Sequence, residues 1–574
     1  MNVLFITGDQ FRASCLSCAG HPLVRTPNLD RLSKAGVRFA SHYTQSTPCG
    51  PSRSCLHTST YIHSNGAYDN GSPVNPGLTN WANELTQQGY SPKVIGYIDM
   101  VSHDLSDPNV QVDPKVLNWD GGGMKGITRL TDTDVLGTQK WQQQQPGMSV
   151  TEEDGWNGYR GKNNWDSQRL PPRNPSGPPE ATRAAYSRDS TDTKVLTDRA
   201  IRYCTEEGRR GRKWALHLSL LKPHPPWVAV EPFVDLYSPS LCNAQLSKVR
   251  STPHHETTLH PWLAAVHGIG DTAAKFITGN SILTMRDERL DALKATYFAL
   301  VTELDFHLGR LFDALMTTNQ FDTTLIVFTA DHGEQLGDHR LIGKLGFFDQ
   351  SYHIPCIVRD PRPSANPTRG TTLPASVITE AVDIAPTILH FCVGNDLRFA
   401  QVLPPQFEGK SLLPLLEGGK FHQWKRTAAH WEVDWRWWTL EGGSGHPDLF
   451  QKLCDQYSLL PDERRFLVHR TSRWKLVIFP KMEPLLFDMN ERNGDETRNL
   501  AKSPAHRDIL TSLLMECVVW KMKYSGSAGE RALTRFRIGY DNKLRTMNGH
   551  QVRTGMVMVS SENGGAGADK VSKL

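Results

Sequence analysis

Cys49 stands in the run "STPCGPSR", between a proline and a Gly-Pro step, with Arg53 four residues later. A thiol in that company could do nucleophilic chemistry. Pro51 suits the first turn of a helix, and "SRSCLHTSTY" can continue it. Cys49 would then lie at a helix N-terminus, where amide N–H groups and the dipole favour an anion. Arg53, one turn on, could reach back to the same point. The thiol is a nucleophile if its pKa is lowered and a plain buried hydrophobe otherwise.

Asp9 follows the apolar run "NVLFITG", and Asp331 with His332 follows "TLIVFTA". In open α/β sheets, ligands bind beyond the carboxyl ends of the strands. By itself Asp9 reads as a turn or cap residue, and Asp331-His332-Gly333 as a tight turn. Together, at the ends of neighbouring strands, they suit one divalent cation. Two carboxylates fit manganese, magnesium or calcium, and the imidazole nitrogen tilts the choice toward manganese. Cys15 and Cys18, in "SCLSCAG", are a close pair open to redox or zinc chemistry, but no second pair follows at zinc-site spacing. The phosphate loop of cysteine phosphatases has arginine six residues after its cysteine, and position 55 here is a second cysteine.

These groups need a scaffold. Short apolar runs alternate with helical patterns, which predicts an α/β fold with a mainly parallel sheet. The strand candidates are Val3–Ile6, Val94–Ile95, Trp214–Ser219, Leu325–Thr329 and Ile354–Val358. Helices are expected in "NLDRLSKAG", with Asn28 as cap, in "LTNWANELTQQG" up to Gly89, and as one or two long helices between Met285 and Thr318. Residues 121–179, with "QQQQPG" and "PPRNPSGPP", read as a loop-rich insertion. The catalytic α/β domain is expected over residues 1–410. A smaller α+β domain with an antiparallel sheet follows over 411–545, and a flexible tail over 546–574.

With 38% hydrophobic and 22% charged residues, the 574-residue chain has globular composition. A formal charge of +4, without a dense basic run, argues against nucleic acid as partner. No apolar stretch is long enough for a membrane helix. The chain enters a strand at once, without a signal-type leader, and its ten cysteines have no framework spacing. Both features lead to an expectation of a cytoplasmic, non-secreted protein, in which the sequon at Asn70 would have no use. The terminal Ser572-Lys573-Leu574 would direct the chain to peroxisomes in a eukaryote.

"CGPSR", followed by Leu56 and Thr58, resembles the Cys-x-Pro-x-Arg signature of type I sulfatases in the alkaline phosphatase superfamily. More narrowly, "GDQFR", "PCGPSR", "HLSLLKPHPPWV", "FTADHGEQLGDHRLIGKLGF" and "ERALTRFR" resemble the phosphonate monoester hydrolase branch, which cleaves phosphonate monoesters and phosphodiesters. The resemblance implies an alkaline-phosphatase-like sandwich. It also implies oxidation of Cys49 to formylglycine by a formylglycine-generating enzyme, so that a hydrated aldehyde supplies an oxygen nucleophile. It further implies metal ligands Asp9, Cys49, Asp331 and His332, with Arg53 on the gem-diol and Asn70, His224 and Lys344 on the transferred group. A homo-oligomer is implied as well. His339 is expected to act as a structural residue near the site. The chain departs from most sulfatases at Gln10, where a second aspartate is usual, and in "VIGYIDM", where Tyr97 and Asp99 replace a lysine–histidine pair. Asp99 stands where the phosphonate branch has threonine.

The expected activity is therefore metal-dependent hydrolysis of small anionic esters: phosphonate monoesters, phosphodiesters and sulfate esters. A sulfuric ester hydrolase of the arylsulfatase or choline-sulfatase kind is the alternative. An unconverted Cys49 would leave an anion-binding homologue without turnover.

Overall fold

Two of the apolar runs become the middle of an eight-stranded sheet. The computed structural model describes residues 1–70, 72–100, 124, 127–130, 180–184, 186–245, 253–278, 280–418, 421–437, 454–456, 458–491 and 494–524. They fall within one compact unit, Met1–Ser527; a second unit, Ala528–Leu574, lies outside the described residues, as do "ERALTRFR" and the terminal tripeptide.

The strands of this sheet, in chain order, are β1 (Asn2–Gly8), β2 (Val37–Tyr43), β3 (Lys93–Gly96), β4 (Thr128–Arg129), β5 (Ala215–Leu220), β6 (Thr324–Ala330), β7 (Cys356–Arg359) and β8 (Thr371–Glu380). Their spatial order is β4-β3-β5-β1-β6-β7-β2-β8. β1 and β6 are buried along their whole length. Strands covered on both faces read as continuous apolar runs, which is why the sequence reveals them. They pair in parallel with Gly8 opposite Ala330, so the residues that follow, Asp9 and Asp331, leave the sheet side by side.

The sheet is mixed, because β7 runs antiparallel to both β6 and β2. β2 and β8 escape the sequence reading: "VRFASHY" is rich in polar residues, and β8 contains Pro374. β8 lies at the sheet edge, where a residue without an N–H is tolerated. Thr128–Arg129, inside the expected insertion, forms edge strand β4 beside β3; most of residues 121–179 lie outside the described residues.

Helix α1 (Pro27–Ala35) starts at Pro27 with Thr26 as its cap, so Asn28 is not the cap. The Asn28 and Leu29 N–H groups donate instead to the Asp305 carboxylate at 3.1 and 2.7 Å. A carboxylate from another element thereby satisfies the first-turn donors. Asp305 belongs to a single 31-residue helix, Asp287–Thr317. The helix Trp81–Gln87 is capped by Asn80, whose side chain accepts from Ala82 and Asn83.

A second sheet, antiparallel, contains β9 (Ala428–Asp434), β10 (Arg465–Thr471), β11 (Trp474–Ile478) and β12 (Leu485–Asp488) in the order β12-β11-β10-β9. The helix Arg507–Tyr524 packs on it through Leu513, against Leu476 and Leu486. The buried Lys475 and Arg470 of this sheet hold Asp349 at 2.9 and 3.1 Å, two residues before Ser351, whose carbonyl accepts the Gly333 N–H at 2.8 Å. No helix among the described residues is long and apolar enough to cross a membrane.

Candidate active site

Helix α2 (Cys49–Thr58) begins at Cys49, which puts the thiol at its first residue. Gly50 follows in a tight place, where a Cβ would lie 3.0 Å from Asn70 Cα. The Asn70 side-chain oxygen accepts the Gly50 N–H at 2.8 Å. This corrects one expectation, since that helix-terminal amide is already bonded and is not an open anion donor.

β1, β6 and α2 bring one ligand atom each from Asp9, Cys49, Asp331 and His332 within 4.8 Å of one another, all four residues being buried. Gly333 is required beside them because the Gln350 carbonyl fills the space of a Cβ. His332 Nδ1–H donates to the Gly333 carbonyl at 3.0 Å. A carbonyl only accepts, so the neutral ring keeps its Nε2 lone pair for the site. Burial lowers His332 to about 3 against the opposing pull of Asp331, which keeps the ring neutral. Nε2 lies 3.2 Å from Cys49 Sγ. Burial also opposes ionisation of Asp331, but His332, Arg53 and Lys344 together hold its carboxyl below the usual range. Two carboxylates and one ligand-ready imidazole form a donor set that fits a hard divalent cation. Cys49 Sγ occupies the place where the oxygen of a converted residue would stand.

Arg53 is buried under these carboxylates. Its Nε donates to Asp331 at 2.9 Å, and one terminal nitrogen to Asp9 at 3.3 Å and the Tyr97 hydroxyl at 3.0 Å. The other donates to Ser219 Oγ at 2.9 Å and the Tyr97 carbonyl at 3.4 Å. A guanidinium has five N–H donors, and each has a partner here. Arg53 thus holds the two carboxylates in place, and any grip on an oxidised residue 49 would need one bond to exchange. Lys344, half-buried, donates to Cys49 Sγ at 2.8 Å and to Gln10 Oε1 at 3.2 Å. Burial works against its charge, but Cys49, Asp9 and Asp331 more than compensate and raise its pKa.

Burial pushes the Cys49 thiol well above its ordinary value; Asp9 adds to this and Lys344 opposes it. A lowered pKa is what a thiolate nucleophile needs, so the environment runs against that reading. Cys55 is buried and its thiol accepts from Asn65 at 3.4 Å, a packing role. None of the ten cysteines forms a disulfide, and burial raises Cys15 to about 12 and Cys18 to about 11, which does not suit a redox pair.

Tyr97 lies beneath Arg53, its ring 4.2 Å from the guanidinium carbon. Asp99 is half-buried at a left-handed φ of 55°, and its backbone carbonyl faces Gly50. His224 lies in the loop after β5, the neighbour of β1, with Nδ1–H donating to the Pro225 carbonyl at 2.6 Å. His339 is bonded to Glu256 at 3.0 Å and stacks on Phe348 at 3.7 Å, which makes it part of the support.

Two residues of the site carry no expected role. Gln10 bridges Lys344 and Glu334, and Glu334 accepts from the Leu336 and Gly343 N–H groups at 2.8 and 2.7 Å. Burial pushes Glu334 up to about 7 against those bonds. The signal for Glu334 was its place two residues after His332 in "TADHGEQ".

The fold and the rim of donors define an alkaline-phosphatase-like α/β ester hydrolase. The chain belongs to the sulfatase family, whose family model matches residues 1–394. It is 31% identical over 550 residues to the multifunctional alkaline phosphatase superfamily protein PehA of Trinickia caryophylli, covering 93% of this chain and 97% of that protein. The phosphonate monoester hydrolase of Silicibacter pomeroyi superposes with a TM-score of 0.76 at 30% identity, over 92% of this chain and 96% of the other. The phosphonate monoester hydrolase of Agrobacterium radiobacter gives 0.74 at 29%, over 91% and 96%.

Proposed function

We propose that this chain hydrolyses small anionic phosphonate monoesters and phosphodiesters, with sulfate esters as further substrates, after oxidation of Cys49 to formylglycine. The observation that carries the reading is the convergence on Cys49 Sγ of Lys344 Nζ at 2.8 Å and His332 Nε2 at 3.2 Å, inside the four-residue donor group. A structural cysteine would not need an ammonium and an imidazole.

Asp9, Asp331, His332 and residue 49 would hold one divalent cation, manganese by preference. When bound it would supply positive charge against an ester anion and acidify the nucleophilic hydroxyl. Formylglycine would supply that hydroxyl as the hydrate of an aldehyde, and this chain therefore depends on a maturation enzyme.

The remaining work falls to side chains. Lys344 Nζ stands where it can hold negative charge that develops near residue 49. Arg53 keeps both carboxylates oriented from below, with Tyr97 closing the space behind it. His224 would act in its imidazolium form, with Nδ1–H on the Pro225 carbonyl and the Nε2 proton delivered to the leaving oxygen. Asn70 anchors the start of α2 and so fixes residue 49. Tyr97 bonded to Arg53, in place of a lysine–histidine pair, supports the phosphonate-type reading over a sulfate-selective one, as do the two solved relatives.

Mass analysis of the peptide containing Cys49 should find the aldehyde, about 18 Da below the thiol, in protein coexpressed with a formylglycine-generating enzyme. A panel of phosphonate, phosphodiester and sulfate esters should then be turned over by wild type with manganese. Cys49→Ala should lose several orders of magnitude. Unmodified Cys49 in active protein, or equal rates in both, would sink the reading.

A further inference from the structure

We infer that Glu334 is a positioning residue that sets the polarity of the Gln10 side chain, turning the amide oxygen toward Lys344 and residue 49. The inference rests on the proposed catalytic role of that site and adds a residue to it.

Gln10 follows Asp9 at the end of β1 with a left-handed φ of 64°. Its backbone is pinned on both sides: the N–H donates to Asp331 Oδ1 at 3.0 Å, and the carbonyl accepts from the Tyr297 hydroxyl at 2.7 Å. The side chain is buried, and the freedom left to it is the orientation of its terminal amide. A primary amide donates from one side and accepts on the other, and its neighbours decide which way it points.

Both neighbours demand the same answer. Lys344 Nζ, 3.2 Å away, has only donors, so it needs the oxygen. Glu334 receives the Gln10 Nε2 on Oε2, while its Oε1 already takes the Leu336 and Gly343 N–H groups. As a carboxylate, Glu334 only accepts, so in that form it needs the nitrogen. Reversing the amide would set NH₂ against an ammonium and C=O against a carboxylate, two repulsions in place of two bonds. The Gly343 N–H bound by Glu334 precedes Lys344 directly. Glu334 therefore anchors both ends of the Lys344–Gln10 contact, although no hydrogen bond or ion pair joins it to Cys49.

The test is a polarity swap. In Glu334→Gln the new side-chain oxygen must stay on the two backbone N–H groups, which points its NH₂ at the NH₂ of Gln10. Gln10 should then turn over and lose Lys344, with kcat/KM falling about ten- to a hundredfold. Gln10→Glu in the same background accepts from both the new amide at position 334 and Lys344, conserves the charge, and should recover the rate to within about threefold of wild type. Gln10→Glu by itself places two carboxylates together and should also be impaired. A merely structural role predicts that the two losses add.

Lysine acylation gives a second readout in metal-free protein: labelling of Lys344, quantified by mass, should rise severalfold in Glu334→Gln and return in the double variant. Rates of Glu334→Gln within twofold of wild type, or a double variant no better than Glu334→Gln, would overturn the inference. If Glu334→Gln does not fold, the double variant decides by itself: folded and active supports the lock, unfolded or inactive overturns it. A wild type without turnover on every ester refutes the proposed function, whereas the labelling result still tests the lock.

Discussion

Replacing Arg53 by methionine keeps most of the side-chain volume and removes the charge that separates two carboxylates. In the folded protein Arg53 reaches Asp331 at 2.9 Å and Asp9 at 3.3 Å, with none of the three side chains exposed. Oxygens of Asp9 and Asp331 lie within 4.8 Å of each other. At an effective dielectric of about 20, two unit charges at that distance repel by about 3–4 kcal/mol. Breaking a buried pair by removing one partner typically costs about 3–5 kcal/mol, in line with that figure. Such a loss is a large share of the roughly 5–15 kcal/mol that holds a folded protein together. Urea unfolding in the presence of a chelator should therefore show the midpoint of Arg53→Met well below wild type. Saturating manganese should narrow the gap by about half, because the cation supplies to the variant the counter-charge it has lost. Arg53→Lys, with three donors in place of five, should fall between the two. A loss below about 1 kcal/mol in chelator, or the same loss with and without the cation, would refute the reasoning.

Asp331→Asn and His332→Ala should each weaken metal binding by about tenfold or more, read as metal content by elemental analysis after dialysis; undiminished metal in both would place the cation elsewhere. Asp99→Thr should raise kcat/KM for a simple anionic ester about tenfold, a gain of about 1–2 kcal/mol, and lower it for a choline-like ester. Parallel changes on the two esters would mean that Asp99 does not select substrate. Burial pushes Asp305 up to about 6, against the hydrogen bonds from Leu29 and Asn28. The folded chain then binds that proton more tightly than the unfolded one, so Asp305 contributes less stability as pH rises from about 4 to about 6, by about 3 kcal/mol in all. Asp305→Asn should flatten the stability profile over that window in urea melts, and an unchanged slope would contradict the assignment.

The chemistry-bearing residues were legible because each follows a local pattern. β1 and β6 are covered on both faces, so they had to be continuous apolar runs, and the polar residues just beyond them stood out as Asp9, Asp331 and His332. The start of α2 at Cys49 could be read from Pro51 and from the run "SRSCLHTSTY", which can continue a helix. The second sheet showed itself through β10, β11 and β12, largely buried apolar strands separated by turns.

What depends on distant partners could not be read in this way. The reversal of β7 and the insertion of β2 beside β8 follow from sheet pairing, and polar β2 and proline-containing β8 carry little local strand signal. Arg53 looked like an anion grip reaching back along its own helix. Its partners lie 278 residues away at Asp331 and 166 away at Ser219, and they use its donors on carboxylates and a hydroxyl. The N-terminal amide of α2 looked available until Asn70, 20 residues on, was found to hold it. Gln10 and Glu334 are separated by 324 residues, and neither has a role until the amide of one meets the carboxylate of the other. Propensity and hydrophobic period act over a few residues, so the sequence determined which groups reach the rim of the sheet. Hydrogen-bond polarity and burial belong to the assembled site, and only the tertiary structure decided which of those groups hold one another.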